Sequence, residues 1–212
     1  MASLVDLIQS DLGRQIINGV SNETSQPEDK TAAVVSMAIP LLMGAMKRNT
    51  SKSEGASGLM NALNAKHDGS ILDNLGELFG GGVNEEVKID GLGILGHVLG
   101  GSQDNVVAAI SKKSGVDSNS VMQILAVLAP IVLGYLGKEK QQQNVQSESG
   151  LDSLLGGMLG GGRRQQKRQQ SLIETLLDGD GDGSVVDDIA GMVLGGGSKS
   201  KKGGLLGSLF GR

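Results

Sequence analysis

Two stretches of the chain, 90 residues apart, carry one apolar pattern, and the pattern is helical. Residues 16–48 (IINGVSNETSQPEDKTAAVVSMAIPLLMGAMKR) lie over residues 106–138 (VVAAISKKSGVDSNSVMQILAVLAPIVLGYLGK). In that register Pro40 meets Pro130, Gly44 meets Gly134 and Ser21 meets Ser111, while Ile16, Ile17, Val34, Leu41 and Leu42 all meet aliphatic residues. A second register, shifted by 114, sets residues 59–82 over 173–196. It brings Asp68-Gly69-Ser70 onto Asp182-Gly183-Ser184 and Asp73 onto Asp187. Self-similarity at fixed offsets is the signature of a repeated unit, and the two offsets are reconciled by a 24-residue insertion in the second copy.

Within each copy apolar residues recur at three- and four-residue spacing, with no run of period two, which is the pattern of helices that bury one face. The chain reads as all-α: a small helical bundle built from a tandem duplicated unit, with Gly-rich connectors and a flexible C-terminal tail. The expected organisation is a first unit over residues 1–82 and a second over 83–160, packed as one domain. A basic linker with a helix-loop-helix follows over 161–196, then a Gly/Lys tail over 197–212. The first helix carries Leu4, Leu7, Ile8 and Leu12 and continues through Ile16 and Ile17. The next opens at Ser25-Gln-Pro27-Glu28, which has the Ser-x-x-Glu form of a capping box with proline in the first turn, and runs to about Arg48. Pro40 and Pro130 fall inside helices, where each removes a backbone hydrogen bond at a cost of roughly 3 kcal/mol and predicts a kink.

The longest apolar stretch runs from Val121 to Gly137 and contains Gln123 and Pro130. Its length is at the short edge for a membrane span, and a buried helix is the expectation. No basic region precedes a long apolar run at the N-terminus, so no signal peptide is read and a cytoplasmic location is expected.

A short motif, aliphatic-Gly-x-apolar-apolar-Gly, recurs at Leu75–Gly80, Leu95–Gly100, Leu155–Gly160, Ala190–Gly195 and Leu206–Gly211. Glycines four apart share a helix face and permit close backbone approach. The structural reading makes the terminal glycines helix C-caps and the inner ones small packing positions. The alternative makes these segments sticky surfaces for self-assembly or for a lipid surface, the last copy following the basic run Ser198-Lys-Ser-Lys-Lys202.

The strongest chemical signal is residues 178–189, Asp-Gly-Asp-Gly-Asp-Gly-Ser-Val-Val-Asp-Asp-Ile. With Asp178 at loop position 1, oxygen-bearing side chains fall at positions 1, 3 and 5 (Asp178, Asp180, Asp182). Gly183 takes the turning position 6, and the Ser184 carbonyl takes position 7. This is the front half of an EF-hand loop, in which alternate residues turn hard oxygens toward a cation that takes six to eight of them. The back half departs: position 12, normally a bidentate Glu, is Ile189, and Asp188 or Asp187 is left to close the shell. The expected ligands are Asp178, Asp180, Asp182, Ser184 and Asp188, and the expected ion is Ca2+. The related loop Asn64–Leu75 replaces positions 1 and 3 with Asn64 and Lys66, a cation opposing a cation, and is expected to be metal-free with Asp73 as a helix N-terminal acid.

Composition removes other classes. The chain has no Cys and no Trp, so disulfides, thiolate metal sites and cysteine nucleophiles are excluded. Three aromatics, Tyr135, Phe79 and Phe210, exclude a base-stacking platform. The net charge of −4 gives no general attraction to phosphate, and the basic run Arg163–Arg168 reads as a solvated linker. His67 and His97 stand far apart in the chain, without the partners a metal or a catalytic role needs. No Gly-x-Ser-x-Gly elbow and no phosphate loop with its lysine is present.

The segments LVDLIQSDLGRQIINGVS, TAAVVSMAIPLLMGAMKRN, HDGSILDNLGELFGGG, GLGILGHVLGG and LAPIVLGYLGK together resemble the bacterial YidB-like family, a domain of unknown function, over roughly residues 1–160. The resemblance implies a small cytoplasmic all-α fold without established enzymatic activity and with no catalytic residues to carry over. The DGDGDGSVVDDIAGM segment resembles an extension found in such relatives. The functional expectation is a non-enzymatic, calcium-binding or calcium-stabilised interaction protein. The alternative is a self-assembling or membrane-surface protein without ion dependence. Protein or self-association is the expected partnership, with nucleic acid and small-molecule substrates not indicated.

Overall fold

In the computed structural model, which describes residues 4–160, the helical period is realised throughout and no strand occurs among the described residues. The elements are α1 (Leu4–Gln9), α2 (Asp11–Thr24), α3 (Glu28–Asn49), α4 (Ser53–Ala65), α5 (Ser70–Asp73), α6 (Leu75–Gly80), α7 (Glu85–Leu99), a 3-10 turn (Gly100–Ser102), α8 (Gln103–Ser114), α9 (Ser118–Gln142) and α10 (Glu148–Leu159). The all-α reading holds.

One cluster of buried side chains runs from Leu7 to Met158 and takes members from both halves of the sequence. Its axis is α9, where every residue from Ile124 to Gly137 is buried. By length and composition α3 and α9 are both apolar enough to cross a membrane, but 83% of the most apolar window of α9 and 56% of that of α3 are buried inside the fold. With only aliphatic and methionine side chains at its centre, Leu42, Met43, Met46, Ile124, Leu125 and Leu128 among them, this core draws its stability from burial at roughly 25 cal/mol per Å2 of apolar surface. Pro40 and Pro130 lie inside α3 and α9, as their positions in the pattern predicted.

Two helix boundaries depart from the sequence reading. The first helix does not continue to Ile17. At Ser10 the side-chain oxygen accepts the Gly13 N–H at 3.1 Å while its hydroxyl donates to the Leu7 carbonyl at 2.7 Å. A serine that satisfies backbone groups on both sides of itself offers the chain an alternative to the helical ladder. The break becomes a corner that requires Gly13, where a Cβ would overlap the carbonyl oxygens of Leu7 and Ile8. The capping box at Ser25 does not form either. Ser25 closes α2 instead, in the left-handed region at φ 52°, and Pro27 precedes α3 without a side-chain cap. Only three residues join α2 to α3, and a residue already spent on ending one helix is not free to cap the next.

The α2–α3 and α8–α9 corners are built alike at positions 90 apart. Ser21 Oγ donates to the Gln26 carbonyl at 2.7 Å and Ser111 Oγ to the Val116 carbonyl at 2.6 Å. Thr24 Oγ1 bonds the Val20 carbonyl as Ser114 Oγ bonds the Ile110 carbonyl. The left-handed residue is Ser25 in one corner and Gly115 in the other.

The same comparison marks an oddity. Thr31 is fully buried and its hydroxyl has no hydrogen-bond partner, while its counterpart in the later corner is Val121, equally buried. A buried hydroxyl without a partner costs stability, and valine has the same shape without the polar atom. Thr31→Val is therefore expected to stabilise the fold by about 1 kcal/mol, read as a higher midpoint in chemical denaturation with an unchanged slope.

Candidate functional site

Three helix ends meet at one edge of the fold. Asn49, the last residue of α3, donates from Nδ2 to the carbonyls of His97 and Val98 at 3.1 and 3.2 Å, tying the C-terminal ends of α3 and α7 together. The α4 helix starts just beyond, and between α4 and α7 lies an open cleft of about 440 Å3. Its floor and walls are apolar, with Met46, Leu59, Ala62, Ile94, Val98 and Leu133, while Lys52, Glu54 and His97 stand at the rim. The rim carries both signs of charge and offers no single sign to a ligand. A wall of aliphatic side chains with few polar groups is the usual make-up of a binding groove.

The outer side of α10 is latched to this region. Asp152 pairs with Lys47, in the last turn of α3, and accepts the Thr50 hydroxyl at 3.0 Å. The Lys47 bond, against the smaller opposing effect of burial, holds the Asp152 carboxyl below its ordinary range.

A second, smaller cleft of about 340 Å3 lies between the end of α2, α7 and α9 and contains Glu23, Lys88, Leu92 and Met122. Burial alone would raise the Glu23 carboxyl. The Lys88 ammonium at 2.6 Å and the Val83 N–H at 2.8 Å outweigh it, and the carboxyl is lowered. Lys88 is raised by the same bond. This half-buried pair joins α2 to α7, two helices distant in sequence, and nothing in the local pattern of either helix announces it.

His67 is buried beside Asp90, with Nε2 to Oδ2 at 3.4 Å. Burial lowers its pKa below the usual 6.5; Asp90 pulls the other way, Lys66 adds to the lowering, and Asp68 opposes it. A proton therefore binds the unfolded chain more readily than the folded one. The stability contributed by neutral His67 is fully present above about pH 6.5 and is lost as pH falls through the interval between the unfolded and folded values. His67→Asn is expected to flatten the pH dependence of the unfolding free energy below pH 6.5, measured by denaturant titration in a buffer series. An unchanged slope there would assign the acid loss to other groups.

The loop related to the Asp-Gly repeat shows where its polar groups go. Gly69 makes the turn at φ 112°, Asp68 Oδ1 accepts the Ser70 N–H at 3.0 Å, Asn64 Oδ1 accepts from Lys140 Nζ at 2.8 Å, and Asp73 pairs with Lys138 at 2.8 Å. Asn64 and Asp73 thus hold this loop against the end of α9, while the Asp68 carboxylate is spent on the turn itself. Among the described residues no three His, Asp or Glu side chains stand together. Asp178, Asp180, Asp182, Ser184 and Asp188, with Asp187, Ile189 and the basic run Arg163–Arg168, lie outside the described residues.

The recurrent glycine motif ends two helices as its spacing suggests, with Gly100 closing α7 at φ 54° and Gly160 closing α10, but Gly76 and Gly96 are not packing positions. A Cβ placed at Gly76, Gly80, Gly96 or Gly100 would meet nothing within 4 Å. The helix-packing glycines lie elsewhere: a Cβ at Gly91 would overlap the Ala126 carbonyl, at Gly137 the His67 carbonyl, and at Gly134 the Ile71 side chain. What the motif contributes to the fold is its first, fourth and fifth residues. Leu75, Leu78 and Phe79, Leu95, Val98 and Leu99, and Leu155, Met158 and Leu159 all lie in or against the core.

The family described as "Bacterial protein of unknown function (DUF937)" matches the chain over residues 6–139 and again over 139–212. The chain belongs to this family. No curated protein and no solved structure is detectably similar to it. The two DUF937 matches run on to residue 212, past the stretch 1–160 over which the motifs resemble the YidB-like family, so the Asp-Gly repeat lies within a matched stretch rather than beyond one.

Proposed function

We propose that this DUF937 protein is a non-enzymatic, cytoplasmic interaction protein whose Asp178–Ile189 loop binds calcium, with Asp178, Asp180, Asp182, the Ser184 carbonyl and Asp188 as ligands. The observation that carries the reading is the alternation of three carboxylates with glycines ahead of Ser184, which places hard oxygens at the first, third, fifth and seventh loop positions. The apolar cleft between α4 and α7 supports the interaction half of the proposal. The YidB-like name, the EF-hand-like extension and the division into copies at 1–82 and 83–160 belong to the same proposal. The matching corners at Ser25 and Gly115 support the duplication.

Calorimetric titration of the full chain with Ca2+ is expected to show one binding event that disappears in Asp178→Ala/Asp180→Ala/Asp182→Ala and is not reproduced by Mg2+. Equal heats from the parent and the triple variant would remove the loop as the site. A second reading, self-assembly or contact with a lipid surface, is favoured by Ile89 and Leu92 on α7, which are 61% and 44% exposed one turn apart. Monomer alone in light scattering over a wide concentration range, with no co-sedimentation with liposomes, would count against it.

A further inference from the structure

Helix α7 turns one side to the fold, where Gly91 and Leu95 are buried, and leaves the opposite side open. Glu86, Ile89, Gly93, Gly96 and His97 share that outward side at three- and four-residue spacing, and all are exposed. Ile89 and its neighbour Leu92 are the exposed large hydrophobic side chains among the described residues, and contiguous apolar surface of this kind marks a contact site. Between and beyond them the face is flat, since a Cβ at Gly93 or Gly96 would meet nothing within 4 Å. Glycine inside a helix costs stability. For Gly91 the close Ala126 carbonyl explains it; for Gly93 and Gly96 nothing within the single chain does.

Charge selects what can lie on this face. The first turn of α7 carries Glu85 and Glu86, and the basic residue of its last turn is His97. Glu86 and His97 enter no ion pair among the described residues. A face that is acidic at one end and basic at the other matches itself when a second copy lies antiparallel and opposes itself when the copy lies parallel. Such self-complementarity is what an isologous two-fold contact needs. With the two-fold beside Gly93, Ile89 stands about 6 Å to one side along the helix and Gly96 about 4.5 Å to the other, at 1.5 Å per residue. Each copy's Ile89 then lies over the other's Gly96, a large side chain against the absence of one, and each copy's Glu86 comes alongside the other's His97.

We propose that α7 pairs antiparallel with α7 of a second copy, crossing at Gly93. The proposal rests on the self-assembly reading above, names the face that carries it, and is independent of the calcium reading. One helix side from each copy makes a small interface, of the size at which pairing is weak and transient. In a dilute denaturant titration the single chain therefore prevails, and the outward glycines act there only through helix propensity.

Sedimentation velocity of the full chain in chelator, over a concentration series, tests it. The parent is expected to dimerise reversibly. Gly93→Leu, whose side chain has open space around it in the single chain, is expected to weaken the dimer by about tenfold or more through overpacking, whereas indiscriminate stickiness would strengthen association, because the substitution adds apolar surface. His97→Glu, which sets acid against Glu86, is expected to weaken the dimer, and His97→Glu/Glu86→Lys to restore it at low salt to within about twofold of the parent. A cooperative helical melt checks that each variant folds. Association as strong in Gly93→Leu and His97→Glu as in the parent would overturn the proposal and leave the self-assembly reading standing. A parent that stays monomeric at every concentration would overturn both. A monomeric chain that co-sediments with liposomes, and loses that contact in Ile89→Glu, would overturn the proposal by assigning the face to a lipid surface.

Discussion

Gly91→Ala is expected to cost this fold about 3 kcal/mol or more, a value at the upper end for overpacking because the group in the way is backbone. Gly96→Ala, further along the same helix, is expected to stabilise it. Both substitutions gain the same helix propensity, about 1 kcal/mol. They differ in what the new methyl meets. At Gly91 it would overlap the Ala126 carbonyl of α9, which yields only if α7 moves away from the central helix; at Gly96 it meets nothing within 4 Å. Denaturant titration of the two variants beside the parent should give midpoints displaced in opposite directions. Two midpoints displaced the same way would mean that α7 does not rest on α9 through Gly91.

The second large effect is expected at Leu128. It is fully buried in the middle of α9, and truncation to alanine leaves a cavity in a core that has no aromatic ring at its centre to slide into the space. Leu128→Ala should cost about 3–5 kcal/mol, lowering the thermal midpoint by roughly 10 °C for a domain of this size. A loss under about 1 kcal/mol would place Leu128 at a surface, as in a helix that does not run through the core. The residue 90 positions earlier in the chain is Ala38, also fully buried, while Ile39 and Ala129 reverse the sizes at the next position. The two helical hairpins thus share a corner and exchange bulk along the helices that follow.

The helices themselves were open to reading from periodicity, because apolar spacing reports a local fact: which face of a helix is buried. That is why α9 is found as a buried helix, and why Pro40 and Pro130 lie inside helices. What escaped depends on partners distant in sequence or on competition within a few residues. Ser10 breaks the first helix by bonding both Leu7 and Gly13, and Ser25 serves one helix end when its neighbours suggest another.

Glycine spacing pointed to Gly76, Gly96 and Gly156 as packing positions, whereas the close approaches are at Gly91, Gly134 and Gly137. Spacing alone does not say which helix passes over a given face. The cleft between α4 and α7 was not legible, since its walls come from segments that meet only in the fold. The same holds for buried His67, which reads as an isolated histidine until Asp90 arrives from α7.

The proposal that an ion acts on this fold is tested most directly by thermal unfolding of the full chain, followed by circular dichroism in calcium, in magnesium and in chelator. An ion that binds the folded state preferentially stabilises it by mass action, by about 2.7 kcal/mol at a hundred times its dissociation constant. The account predicts a rise in midpoint with calcium alone, absent from Asp178→Ala/Asp180→Ala/Asp182→Ala. A helical melt with the same midpoint in all three conditions would contradict it.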